Sequence, residues 1–348
     1  MNEPTEDAGT DIITAAIDAI SGTDIPAPIK KSFFKAVGQL CTAAVEIPVA
    51  YMEGIAQERG AETQARIKLI EKSSNEIAEQ MQFNPEYARA AVKKFGQRVV
   101  REQINLDRIT HKAADALTFD ARSGQAPDAA ILDAPTQAEQ KTIDDDWLNV
   151  FEKEASQKST EEMQGIFAKL LAGEIRRPTT YSIKSVRLLG SMDQGAAGLF
   201  KRFCSKCIAL KLHGPDFVRV IDARVPSLNG NAASNALRQY GLSFDDLNTL
   251  QEYGLIIADY NSRMDYTPAI VKDNSVLLPF EYATDLWALG PMEGFQGTEL
   301  KISGVALTRS GKELMNIVDI EADPKFTQDM ITWFEARKLK LMQVRTKR

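Results

Sequence analysis

The chain has 348 residues, 42 Lys and Arg against 48 Asp and Glu, two His, three Cys, 44% hydrophobic residues and a net charge of −6. These proportions describe a globular chain of two or three domains and exclude disordered, collagen-like and disulfide-framed scaffolds. With His111 and His213 as the only imidazoles, chemistry that draws on several His, such as a metal triad or a base poised near neutral pH, is disfavoured.

The opening residues, Met1 to Asp7, are acidic where a secretory signal would carry Lys or Arg. Three Cys cannot pair completely, which suits thiols kept reduced. No window reaches the roughly 18 apolar residues of a spanning helix. The expectation is a cytoplasmic protein.

Residues 1–30 are acidic and small, with a short helical segment from Asp11 to Ile20 closed by Pro26 and Pro28, and read as a flexible tail. Residues 31–120 form an N-terminal helical region. Within it Phe33, Val37, Leu40, Val45 and Met52 recur at helical spacing and predict an amphipathic helix over 33–55, kinked near Pro48. Its polar stripe carries acids as well as Lys, which favours a core or a partner helix over a membrane surface. From Gln57 to Met81 the large apolar residues are few (Ile67, Leu69, Ile70, Ile77 and Met81), as in a solvated helix that pairs along one narrow seam and supports homo-oligomerisation. Asn84-Pro85 starts a new helix, running to about Leu117. It holds seven bases against four acids, and Lys94, Arg98 and Arg101 share one face at i, i+4, i+7. That stripe suits phosphate contact, although a run of charge usually marks a solvated face.

Residues 121–141, with Gly124, Pro127 and Pro135, read as a linker. A central helical domain is expected over 142–213. Thr142 caps a helix with Asp144, Asp145 and Asp146 in its first turn and Trp147, Leu148, Phe151 and Ala155 on its apolar face. A capping box at Ser159 and Glu162 opens the next helix, with Met163, Ile166, Phe167, Leu170 and Leu171 inward and Gly173 as its stop. Arg176, Arg177, Lys184 and Arg187 follow as a second basic group, then a helix from about Asp193 to Cys207. Over 214–348 short β-rich runs appear at Phe217–Ile221, Leu255–Tyr260, Val276–Tyr282 and Leu300–Leu307. They are separated by helices at 243–253, 308–320 and 325–341. The fold class is therefore mostly α, with a C-terminal winged-helix-like α+β domain that ends in a helix.

Two motifs fall short of chemistry. Cys204-x-x-Cys207 with His213 lacks the fourth ligand of a structural zinc site and reads as neighbouring core thiols. Gly304 to Glu313 is too widely spaced for a phosphate loop and places Glu313 where a magnesium-binding Ser or Thr belongs. The helix at 243–253 offers Asn248 and Gln251 to DNA bases, but its Asp245, Asp246 and Glu252 repel phosphate. No catalytic, cofactor-binding or metal-ligating residue is assigned, and no cofactor or small-molecule substrate is expected.

The runs Trp147-Leu148-x-x-Phe151, Met163-x-x-Ile166-x-x-x-Leu170-Leu171-Ala172-Gly173-Glu174-Ile175 and Pro178-x-x-Tyr181-Ser182-Ile183-x-x-Val186 resemble a bacterial family of uncharacterised proteins, domain of unknown function 2806. Gly241-Leu242-x-x-x-Asp246-Leu247-x-x-Leu250-x-x-x-Gly254-Leu255-Ile256 and Leu307-Thr308-x-x-Gly311-x-Glu313-Leu314 are similar to the C-terminal half of that family. The resemblance covers about 142–320 and brings no catalytic residue with it. The N-terminal third is loosely similar to abortive-infection proteins. The resulting expectation is a non-enzymatic interaction or regulatory protein of an anti-phage defence system, acting through protein contacts and nucleic acid. Two alternatives stay open: a membrane-acting effector using the 33–55 helix, and an unrecognised hydrolase.

Overall fold

The computed structural model describes residues 7–41, 85–123, 142–213, 218–283, 285–297 and 299–344. Two compact units divide the chain between Gly190 and Ser191, whereas the sequence places its boundaries at 121–141 and 213.

The first unit is helical among its described residues: α1 (Asp7–Gly22), α2 (Ala27–Leu40), α3 (Pro85–Ser123), α4 (Asp145–Ala155), α5 (Glu161–Arg176) and α6 (Ile183–Ser191). Residues on both sides of the expected linker share one core, because α3 packs against α1, α2, α4 and α5. The expected flexible tail is instead α1, with Ile13, Ile17 and Ile20 buried. Their spacing puts three β-branched side chains on one stripe, and burying each contributes about 1.5–3 kcal/mol, which holds an acidic, small-residue segment on α3. Helix α2 buries Phe33, Phe34, Val37 and Leu40 and stops there, with Cys41 extended. The expected 33–55 helix thus ends at Leu40; Val45, Met52 and the polar helix over 57–81 lie outside the described residues.

Capping is as local as the sequence suggests but shifted. Asp144, not Thr142, caps α4 by accepting from the Trp147 N–H at 3.0 Å, and Thr160, not Ser159, caps α5 by accepting from the Met163 N–H at 3.4 Å. Gly173 does not stop α5. A Cβ there would sit 2.7 Å from the Tyr181 ring, so glycine makes room for the aromatic that closes the α5–α6 turn. The buried Glu174 carboxylate holds that turn by accepting from the Thr179 and Tyr181 N–H groups at 2.6 and 2.9 Å. Trp147 completes it, stacking on Phe151 and donating from Nε1 to the Tyr181 carbonyl at 2.9 Å.

The second unit is built on an antiparallel, curled seven-stranded sheet, ordered β3-β6-β2-β1-β4-β5-β7. The strands are β1 (Ile208–His213), β2 (Val218–Pro226), β3 (Arg263–Asp265), β4 (Phe280–Tyr282), β5 (Asp285–Pro291), β6 (Lys301–Ala306) and β7 (Leu339–Gln343). Helix α7 (Gln194–Cys204) precedes them, α8 (Phe244–Glu252) lies between β2 and β3, and α9 (Arg309–Met315) and α10 (Pro324–Glu335) follow β6.

The sheet exceeds the two or three strands of the expected wing. Leu255–Tyr260 contributes only the Ile256–Leu307 bridge. Conversely, the chain reverses after Cys204 and enters β1, where a continuous helix to Cys207 was expected. The expected closing helix over 325–341 ends at Glu335; Lys338 takes the left-handed conformation (φ 59°) and the chain returns as β7 beside β5. Leu339 and Leu341, two apart, share one face of a strand but not of a helix, and pairing with β5 realises the strand.

Candidate functional site

The first group of cations selected from the sequence, Lys94, Arg98 and Arg101, lies on α3. At 39 residues it is about 58 Å long at 1.5 Å per residue, and its two halves differ. From Asn105 onward Leu106, Ile109, Ala113 and Leu117 are buried. Before Glu102 the described side chains are almost all exposed: Lys93, Lys94, Arg98 and Arg101 together with Phe95 (41%), Val99 (40%) and Val100 (57%). Lys94, Arg98 and Arg101 do share one face. Arg98 pairs with Glu102 at 3.5 Å and lies over the Phe95 ring at 5.3 Å. Among the described residues no carboxylate is paired with Lys94 or Arg101.

The second basic group is elsewhere in the same unit. Arg176 forms an ion pair with Asp120 near the far end of α3, about 28 Å along the axis from Arg101. Arg177, Lys184 and Arg187 are exposed on the α5–α6 turn and on α6. The fold therefore separates the two cation sets and occupies Arg176 internally. Of the helix offered to a membrane or partner, Phe33, Val37 and Leu40 are in the core, so a membrane role for them would require extracting three large apolar side chains at about 5–9 kcal/mol.

Where α2 meets α3, the Gln103 amide donates to the Leu40 carbonyl at 3.0 Å and to Asp107 at 2.8 Å. Burial raises the Asp107 carboxyl above its usual range. Burial, then the Asp107 charge, raises the Cys41 thiol, which disfavours the reactive thiolate.

In the second unit the densest polar cluster is one the sequence reading missed. Asp222 and Arg224 alternate onto the same face of β2 and pair through two hydrogen bonds of 2.6 and 2.9 Å. Tyr266 donates to Asp222 at 2.9 Å. Arg224 also donates to the carbonyls of Ser262 and Ile302 at 2.6 and 3.0 Å. All three side chains are buried, and the cluster is saturated from within: it ties β2 to β6 and the β3 region. Its only forecast in the sequence was two charges in a strand at i, i+2.

The remaining candidates are likewise occupied by structural work. Cys204 and Cys207 are buried free thiols at the α7–β1 turn, the latter raised by burial. Lys206 between them is buried and paired with Asp323 at 2.9 Å. Among the described residues no three His, Cys, Asp or Glu side chains converge as metal ligands. Gly304 and Gly311 are close-approach glycines: a Cβ would strike the carbonyl of Val225 at the first and of Leu255 at the second. Asn248 and Gln251 face the Tyr260 hydroxyl at 2.8 and 2.9 Å, turned to the protein. An open groove of about 310 Å³ lies beside Trp333, but there Arg337 stacks on the Trp333 ring at 3.5 Å and Asp329 accepts from Tyr240.

Among the described residues no helix is long and apolar enough to cross a membrane. Fold and site define a two-unit protein, one helical and one with a curled antiparallel sheet, whose most conspicuous exposed feature is a basic and apolar helix. The chain belongs to the family described as protein of unknown function (DUF2806), matched over residues 89–331. That span starts earlier and ends later than the 142–320 of the sequence resemblance and takes in most of α3. No curated protein and no solved structure matches the chain.

Proposed function

We propose that the protein is a non-enzymatic binding module whose first contact element is the exposed half of α3, and that this half engages a polyanion, nucleic acid being the fitting class. The observation that carries this reading is the alignment of Lys94, Arg98 and Arg101 on one exposed face beside Phe95, cations next to an aromatic surface. The separate group Arg177, Lys184 and Arg187 supplies a second, weaker contact.

The winged-helix reading of the second unit draws support from the succession of α8, the Ile256–Leu307 bridge, the β3–β6 pair and α9. With Asn248 and Gln251 facing Tyr260, that module fits a protein contact better than base reading. A cytoplasmic setting is consistent with the free thiols of Cys41, Cys204 and Cys207. A place in anti-phage defence rests on the loose similarity of the N-terminal third alone.

The test is the triple reversal Lys94→Glu, Arg98→Glu, Arg101→Glu, assayed by retention of duplex DNA and of RNA at low salt. Three lost phosphate contacts lower the slope of log K against log salt by about 2.7 on duplex DNA. Unchanged retention and slope refute the proposal.

A further inference from the structure

The sheet of the second unit ends on one side in β7, and among the described residues no strand lies beyond it. Its register on β5 shows which backbone groups that leaves over. The Val344 N–H donates to the Leu286 carbonyl at 2.8 Å and the Met292 N–H to the Lys338 carbonyl at 2.9 Å, with Met342 opposite Ala288 and Lys340 opposite Gly290 between them. In an antiparallel pair such hydrogen-bonded positions alternate with positions whose N–H and C=O point the other way. Leu339, Leu341 and Gln343 therefore turn their N–H and C=O groups to the outer edge, where none has a backbone partner among the described residues. At the opposite end of the sheet β3 has three residues, and so short an edge gives little to pair with.

We infer that the outer edge of β7 is a docking site for an extended, acidic segment of a partner protein, added to the sheet as a further strand. Three observations select that occupant. The first is the row of backbone groups. It offers donors and acceptors in alternation, which a phosphate backbone, carrying acceptors alone, matches by half and another peptide strand matches fully. The second is charge. Residues 336–348 hold six bases and no acid, and Lys340 is exposed on the strand itself. A second copy would bring six bases against six, and a Lys on an edge strand is a common bar to such self-pairing. The same Lys receives an Asp or Glu across the strands. The third is the pair of faces. Leu339 is buried and Leu341 half-buried, opposite Pro291 and the buried Leu289. Lys340 and Met342 stand on the other face, Met342 45% exposed and lying over Gly290. The fitting segment therefore alternates apolar residues, which extend the covered face, with acids that meet Lys340.

The probe is the blocked, fluorescein-labelled peptide Val-Glu-Val-Asp-Val-Glu-Val, added to the full chain and followed by anisotropy and by amide hydrogen exchange. At saturation, exchange at Leu339, Leu341 and Gln343 is expected to slow about tenfold or more, while Lys340 and Met342, already bonded to β5, stay as they were. N-methylation of one alternate set of the peptide's amides is expected to weaken binding about tenfold, and of the other set to leave it unchanged. This comparison leaves the protein unaltered, so its folding does not enter. Leu341→Pro removes an outward N–H and spares the ladder to β5, and weakens binding likewise. Lys340→Glu is expected to lose this peptide and to bind its counterpart with Lys at every acidic position. Absence of peptide binding overturns the inference, as do affinities indifferent to both methylation patterns or an acidic peptide held equally by Lys340→Glu. A native mass doubled through β7 assigns the edge to a second copy, and protection of the same amides by duplex DNA but not by the peptide assigns it to nucleic acid; each of these also overturns it. None of the readouts involves α3, so failure here is distinct from failure of the polyanion proposal.

Discussion

Arg224→Met offers a direct test of how the sheet unit is held together. The substitution keeps an unbranched side chain but removes the donors to both Asp222 oxygens and to the carbonyls of Ser262 and Ile302. Asp222, 5% exposed, would keep only the Tyr266 hydroxyl. Breaking a buried pair from one side costs about 3–5 kcal/mol. The two orphaned carbonyls overlap with that cost, so about 4 kcal/mol is expected. For the unit of residues 191–348 this corresponds to a loss of about 10 °C in Tm. Asp222→Leu combined with Arg224→Met removes the stranded charge and should recover about 2 kcal/mol, because an apolar replacement of a whole buried pair is tolerated better than half of one. Urea unfolding of the full chain in a Trp147→Phe background reports this unit through Trp287 and Trp333, and using that background throughout cancels its own cost. A loss below about 1 kcal/mol for Arg224→Met, or a double variant as unstable as the two single costs summed, would refute the account of Asp222 as a desolvated, internally neutralised charge.

Three further outcomes follow from the same geometry. Gly173→Ala gains about 1 kcal/mol of helix propensity but drives a Cβ into the Tyr181 ring, so thermal unfolding should show a net loss of about 1–2 kcal/mol; a stabilised variant would mean the ring moves freely. Gly311→Ala meets the Leu255 carbonyl, which is backbone and less able to yield, and is expected to cost more than Gly173→Ala in the same assay. Asp107→Asn should stabilise the helical unit at neutral pH. Because burial raises the folded carboxyl above its ordinary 3.8, the native state binds the proton more tightly than the unfolded chain, and wild-type stability rises as pH falls through the raised value. The advantage of Asn should therefore shrink from neutral pH towards 3.8, and a gain that grows on acidification would reverse the sign of the argument.

Local signals in the sequence determined the caps, to within two residues, and the apolar faces. Asp144 and Thr160 cap within two residues of the expected positions, and Trp147, Phe151, Phe167 and Leu171 are in the core. The exposed cation face of α3 was legible as well, because helical phase follows from numbering alone. Tertiary structure alone decided the rest. Residues 7–22 pack on α3 rather than forming a tail, since partners distant in sequence supply the surface that buries Ile13, Ile17 and Ile20. Residues 208–213 and 339–343 become strands because β2, β4 and β5 offer edges to pair with, and segments of six and five residues are too short for their periodicity to announce that. The union of Asp222, Arg224 and Tyr266 joins residues up to 44 positions apart. Such long-range pairing is invisible to local pattern, and it turns two charges in a strand into the unit's internal clasp.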